Sequence, residues 1–275
     1  MEYELDERGA LQINLGTIQE NLDPAVYPET DAYISAWFDA PDSTLDLFEI
    51  SDIFLSCDKT QPLAPEIAEF VLPNYEYRAE KGDSDAMVTL GGLYYTGRLG
   101  EPDYHEAIVW YEKAQEAGNP QATENLGYCH YYGRSVPVDY EKAYQCFSKC
   151  AMQGMPNAMY KVGDLFRYGF YVNEDPDMAF HMYNEAYKNL TDDLRKSIGA
   201  DVYRRLGDCF FEGIGTKPDN TLALALYQDA ERWFYVKLAD GDRFSLPGLE
   251  HVLERQQLCR KKLAKGIRLL RELET

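Results

Sequence analysis

Long apolar runs are missing from this chain. None approaches the ~20 residues that a helix needs to cross a bilayer, so no membrane span is expected. The first residues, Met1-Glu2-Tyr3-Glu4-Leu5-Asp6-Glu7-Arg8, have neither the basic nor the apolar region of a secretory signal, and the sequence reads as cytoplasmic. Basic side chains are scarce: 27 Lys and Arg stand against 47 Asp and Glu, a net charge of −20 over 275 residues. Such a surface repels phosphate backbones, which argues against nucleic acid as a partner and favours a protein or peptide of basic character. There is no C-x-x-C pair among the six cysteines, and without a secretion signal reduced thiols are the expectation. A phosphate-binding loop, an H-E-x-x-H pair and a nucleophile elbow are all lacking. Ser56-x-x-Lys59 has the spacing of a penicillin-recognising serine motif, but no S-D-N or K-T-G accompanies it, so chance accounts for the match. No catalytic residue and no cofactor is expected.

What the chain does have is one short pattern in four copies. Leu90-Gly91-x-x-Tyr94-x-x-Gly97 recurs as Leu126-Gly127-x-x-His130-x-x-Gly133, as Val162-Gly163-x-x-Phe166-x-x-Gly169 and as Leu206-Gly207-x-x-Phe210-x-x-Gly213. Ten residues after each closing glycine stands an alanine (Ala107, Ala143, Ala179, Ala223). An aromatic follows four later (Tyr111, Phe147, Tyr183, Tyr227), then a small residue (Ala114, Cys150, Ala186, Ala230). Successive copies are 36, 36 and 44 residues apart. A fixed period in this range signals stacked repeats, because one such unit cannot bury its own apolar face.

Each copy reads as two helices. Ala86, Leu90, Leu93 and Tyr94 share one helical face, Gly97 is a C-terminal cap, and Asp103 is an N-cap for a second helix carrying Ala107, Tyr111 and Ala114. Small residues at Gly91 and Ala107 let the two helices approach closely. The eight extra residues of the third interval, around Tyr187-Lys188-Asn189-Leu190-Thr191-Asp192-Asp193-Leu194-Arg195, read as an extension of the second helix, with Thr191 or Asp192 as the alternative break. The second helix of the fourth copy spans about 222–238, and Pro247 opens a long helix over 247–272. That helix is the candidate cap for the last apolar face, with its basic side chains on a solvated face. Upstream, Ala64–Lys81, Asp31–Asp39 and Leu45–Cys57 read as helices, and residues 2–15 as a small hairpin. The acidic charge is concentrated here: residues 1–83 hold 19 acidic and four basic side chains, a net of −15.

These motifs resemble the Sel-one-like repeat, a relative of the tetratricopeptide repeat that couples L-G-x-x-Y-x-x-G on one helix to A-x-x-W-Y-x-K-A on the next. Ala107-Ile108-Val109-Trp110-Tyr111-Glu112-Lys113-Ala114 matches the second part almost completely. The resemblance implies an all-α fold: a right-handed α-solenoid of stacked antiparallel helix pairs with an N-terminal cap and a C-terminal capping helix. The corresponding division is an acidic cap over 1–62, a solenoid over 63–242 and a capping helix over 243–275. The solenoid comprises one degenerate repeat followed by repeats at 84–119, 120–155, 156–199 and 200–242.

The resemblance also implies an adaptor in protein assemblies. In tetratricopeptide-like arrays the first helix of each pair lines the concave face. Carried over, this places Val88, Gly92, Tyr95, Thr96, Glu124, Tyr128, Tyr131, Tyr132, Tyr160, Asp164, Arg167, Tyr168, Arg204, Asp208, Phe211 and Glu212 on a groove. Of these, Tyr95, Glu124, Tyr128, Tyr131, Tyr132, Tyr160, Asp164, Arg167, Tyr168, Arg204, Asp208 and Phe211 are the candidate partner-binding residues. Tyrosine offers large contact area at small entropic cost. An acidic immunity-type protein that neutralises a basic partner through residues 1–83 is the alternative. A β-lactam hydrolase of the cysteine-rich repeat branch is a remote one, since that branch pairs cysteines across adjacent helices and the position eight after Cys150 is Ala158. Cys129, Cys146, Cys150 and His130 suggest a metal site, but Cys150 and His130 stand at core positions of the repeat, so packing accounts for them and no metal is expected.

Overall fold

The computed structural model describes residues 15–39 and 46–273, and all regular structure among them is helical. The fold is all-α and of the repeat-solenoid class. The hairpin expected over residues 2–15 lies outside the described residues up to Leu15, which opens a helix. Two compact units are present, residues 1–129 and 130–275, divided within the last turn of a repeat helix.

The first unit begins with α1 (15–21). It continues with α2 (Pro28–Asp39), α3 (Leu47–Ser56) and α4 (Pro65–Glu80), all expected from the sequence. Leu15, Ile34, Ile50, Phe54, Ile67 and Val71 are fully buried among them. α4 runs through Pro73, which costs it one backbone rung. The loop after α3 is pinned from the first repeat: the Arg98 guanidinium donates to the carbonyls of Asp58 and Gln61 at 2.7 and 2.8 Å. The Asp58 carboxylate in turn accepts from the Thr30 amide and hydroxyl at 3.0 and 2.8 Å, holding the start of α2. The first repeat is α5 (Ser84–Thr96) and α6 (Tyr104–Glu116), and α7 (Pro120–Tyr132) begins the second.

The second unit holds α8 (Tyr140–Met152), α9 (Pro156–Tyr168), α10 (Pro176–Lys188), the single turn α11 (Asp192–Leu194), α12 (Ala200–Glu212), α13 (Asn220–Ala239) and α14 (Leu246–Leu273). One loop closure recurs in all four repeats. The amides of Asp103, Asp139, Asp175 and Asp219 donate to the carbonyls of Tyr94, His130, Phe166 and Phe210 at 2.8–3.0 Å. Each of these aspartates then caps the next helix through its side chain. The turn thereby satisfies backbone groups at the end of one helix and at the start of the next.

Gly91, Gly163 and Gly207 lie where the two helices of a repeat cross. A Cβ on Gly163 would stand 2.5 Å from the Tyr183 ring, and one on Gly207 2.7 Å from the Tyr227 ring; Gly91 meets Tyr111 in the same way. The tyrosine at the repeat's aromatic position is thus laid against bare backbone and fully buried at Tyr183 and Tyr227.

The eight-residue insertion does not lengthen the second helix of the third repeat, as the sequence suggested. α10 stops at Lys188, and Leu190 is drawn into the core. Thr191, the alternative break, caps α11 by accepting from the Leu194 amide at 3.3 Å. Asp192 and Asp193 in its first turn suit the positive end of the helix dipole. The chain then passes through a π-helical turn, Arg195–Gly199, straight into α12. The extension therefore belongs to the first helix of the fourth repeat. It pairs with the 20-residue α13, whose C-terminal end runs alongside: Lys237 Nζ lies 3.3 Å from Asp201 Oδ2.

Replacing Gly207 with alanine should force Tyr227 off the crossing at a cost of ~1–3 kcal/mol. Hydrogen exchange should show the protection loss centred on α12 and α13, with α2 to α4 unchanged.

Candidate functional site

The candidate residues sit on the first helices of the repeats, and each unit presents its own set. In the first unit Tyr95, Tyr111, Asn125 and Tyr128 line a cleft of about 230 Å³. Tyr95 packs edge-on against Tyr104 with ring centroids 5.1 Å apart. Burial pushes the Tyr111 phenol above its usual range, so it remains a neutral donor at physiological pH. Glu124 is fully buried, with Gln121 Nε2 donating to it at 2.9 Å.

In the second unit the rings gather around a cation. Tyr131 meets Tyr132, Tyr140, Phe147 and Phe170 at centroid distances of 4.9–6.4 Å. Tyr168 leans over Phe170 at 5.6 Å and is half exposed, as is Tyr132. The Lys161 ammonium lies 4.6 Å from the Tyr131 ring centroid and 4.8 Å from that of Tyr132, and it donates to the Tyr132 hydroxyl at 2.7 Å. Burial lowers its pKa to about 8, partly offset by Asp164.

Behind the rings runs a ladder of buried charge. Asp164 accepts two bonds of 2.7 Å from the Arg205 guanidinium and one of 2.8 Å from the Tyr183 hydroxyl. Asp208 repeats the arrangement one repeat on, accepting from the Tyr227 hydroxyl at 2.8 Å with His251 Nε2 at 2.8 Å. Arg167 reaches forward to Asp208 at 3.1 Å and Glu212 at 3.3 Å, and Arg255 of α14 also pairs with Glu212. Burial alone would raise both aspartates. Arg205 overrides it at Asp164, and His251, followed by Arg204 and Arg167, overrides it at Asp208, so both are held below the ordinary carboxylate value.

Of the expected groove residues, Tyr95, Tyr128, Tyr131, Tyr132, Arg167, Tyr168 and Arg204 retain accessible surface. Glu124, Tyr160, Asp164, Asp208 and Phe211 are buried. The burial of Phe211 has a specific cause: α14 covers it, with Arg255 at 4.8 Å and Lys262 at 3.6 Å from its ring centroid. Cys129 and Cys150 are fully buried. The sequence reading missed Lys161, Arg205, His251 and Asp201. A signal was available in the repeats themselves. The residue before the motif leucine or valine is Thr89, Asn125, Lys161 and Arg205, and the residue after the motif glycine is Gly92, Tyr128, Asp164 and Asp208. Cation and carboxylate appear together in the last two copies only.

Among known proteins, the Sel1 repeat profile matches residues 84–119, 120–155, 156–189 and 200–230, leaving the insertion between the last two. No curated protein matches the chain. A Sel1 repeat protein from Oxalobacter formigenes, 22% identical, superposes over 93% of this chain and 99% of its own with a TM-score of 0.56. A protective antigen with an SLR fold, present in uropathogenic Escherichia coli strains, is 21% identical with a TM-score of 0.41. It covers 93% of this chain, which spans 64% of that protein. An immunity protein from Pseudomonas aeruginosa is 21% identical over 78% of this chain and 85% of its own, with a TM-score of 0.35. At 22% identity the first likeness concerns the fold alone.

Two outcomes follow from the ladder. Arg205→Leu should destabilise the second unit by ~3–5 kcal/mol, because it strands the Asp164 carboxylate in the interior. Asp164→Asn/Arg205→Leu should recover much of that loss in the same denaturation assay. Because the folded-state pKa values of Asp164 and Asp208 lie below the ordinary 3.8, their stabilisation is present above that value and lost as pH falls through and below it. Melting temperature measured against pH should drop steeply in that acid window, and less steeply in Asp208→Asn.

Proposed function

The chain belongs to the Sel1 repeat family, and from that premise we propose that it is a non-enzymatic adaptor holding a protein or peptide segment of basic character on the first-helix faces of its repeats. The observation that carries this reading is α14. Residues 250–275 hold seven basic and four acidic side chains, and this helix rests on the first-helix residues Asp208, Phe211 and Glu212 through His251, Arg255 and Lys262. The face of the fourth repeat thus already receives a basic helix, the chain's own, through an aromatic ring and two carboxylates. The rings at the register of Phe211, Tyr95 in the first unit and Tyr131 in the second, remain partly open, as do Tyr128 at the register of Asp208 and Tyr168 at that of Glu212. The net charge of −20 would steer a basic segment towards them.

Affinity capture followed by mass spectrometry tests the reading. Tyr128→Ala and Tyr168→Ala should each lose a partner that the unaltered chain retains, while circular dichroism and melting temperature stay nearly constant. Identical captured proteins for all three chains would contradict it.

A further inference from the structure

The lengthened end of α13 and the start of α14 close a pocket that the repeat pattern does not call for. α12 keeps the 13-residue length of the other first helices, α13 runs on to 20 residues, and the start of α14 closes the space between them. The result is a cavity of about 480 Å³ within the second unit. Phe234 forms its floor, fully buried, with its ring lying against the backbone of Gly248, where no side chain would fit. Tyr132 and Phe244 stand at its mouth, and Phe244 is 94% exposed.

The wall of this pocket is electropositive within an acidic protein. Lys161, Arg204, Arg205 and Lys237 face it against only Asp201 and Asp242, with His251 alongside. Asp201 is shared by three of these cations: Arg205 and Lys237 at 3.3 Å, and Arg204 at 4.0 Å. Arg205 is saturated by Asp164 and by the Asp201 carbonyl and carboxylate. Arg204 is not. Its nearest carboxylates are those of Asp208 at 3.8 Å and Asp201 at 4.0 Å, beyond hydrogen-bond reach, and its buried Nε–H has no acceptor. A guanidinium presents a planar fork of donors that matches a carboxylate, and a buried donor left unmade costs free energy that an incoming acceptor recovers.

We infer that this pocket is a subsite for the carboxylate of an acidic side chain on the partner segment, received by the Arg204 guanidinium, with an apolar neighbour of that residue covering Phe244 and Tyr132. The inference rests on the reading of the first-helix face as the binding face. Two observations select an acidic side chain over a free phosphate. Asp201 and Asp242 already occupy the site, and they would repel a dianion more strongly than a single carboxylate. The exposed ring of Phe244, with half-exposed Leu246 beside it in the chain, supplies an apolar rim that a bare anion would not use. A basic segment carrying one acidic residue would then be held in a single register, with its negative charge seated at Arg204.

The test uses the full chain and the blocked tripeptide acetyl-Leu-Glu-Phe-amide, whose only charge is the glutamate side chain. The Arg204 Nε–Hε resonance should shift saturably on titration. Acetyl-Leu-Gln-Phe-amide should bind at least tenfold more weakly, and R204Q should abolish binding with the fold intact by circular dichroism. Phe244→Ala should weaken binding several-fold without altering the preference for glutamate over glutamine. Equal binding of the glutamine peptide, unchanged binding to R204Q, or tighter binding of inorganic phosphate than of the peptide would overturn the inference. The tripeptide is bound without Tyr128 or Tyr168, so its failure leaves the partner-capture result standing, and loss of capture leaves the tripeptide result standing.

Discussion

A tyrosine ring pressed against a glycine backbone sets the geometry of these repeats. The close approach of Gly163 to Tyr183, and of Gly207 to Tyr227, brings the two helices of a repeat together at a point where no side chain fits. The ring contributes burial at that point, and its hydroxyl emerges on the far side of the first helix. There, in the third and fourth repeats, the residue after the glycine is an aspartate that accepts from it. A buried carboxylate needs polar partners, and the next first helix or α14 supplies them as Arg205 or His251. Packing within a repeat and polar coupling between successive helices are thus joined at one pair of adjacent residues. The hydrogen bonds beyond the first are what make the buried charge tolerable, since an ion pair without them seldom recovers its desolvation cost.

The insertion before α12 shows how a regular pattern acquires a local feature. Eight residues added at one end of a first helix are matched by extra length at the adjoining end of its partner, so the two remain paired. Asp201, in the first turn of α12, faces Lys237 of the lengthened α13, and beside them a basic pocket lies inside an acidic chain. The same second unit therefore offers carboxylates that hold a basic helix and a pocket suited to the opposite charge. Complementarity of both signs on one surface favours selection of one binding register over simple electrostatic attraction.

Much of the fold was legible because the glycines, alanines and aromatics of the repeat are fixed by close packing, and close packing leaves few alternatives at each position. The caps at Asp103 and Gly97 and the helices over 65–80 and 220–239 follow from local chemistry that the sequence displays directly. The placement of the insertion did not, because a helix stop at Lys188 depends on Leu190 finding the core, a tertiary event, while Thr191 is only permissive. The candidate site was read in outline. Its tyrosines were visible from their register, but the burial of Asp164 and Asp208 depends on partners 41 and 43 residues away in sequence. The covering of Phe211 depends on where α14 lands, which no repeat position encodes.

A double-mutant cycle tests the coupling at the centre of this account most directly. Tyr227→Phe, Asp208→Asn and the pair together should be measured by chemical denaturation at neutral pH. If the ring hydroxyl and the carboxylate act as one unit, the two losses will fall short of additivity by ~1 kcal/mol or more. Losses that add within ~0.3 kcal/mol would mean that the tyrosine serves only to fill the crossing, and that the aspartate ladder stands independently of it.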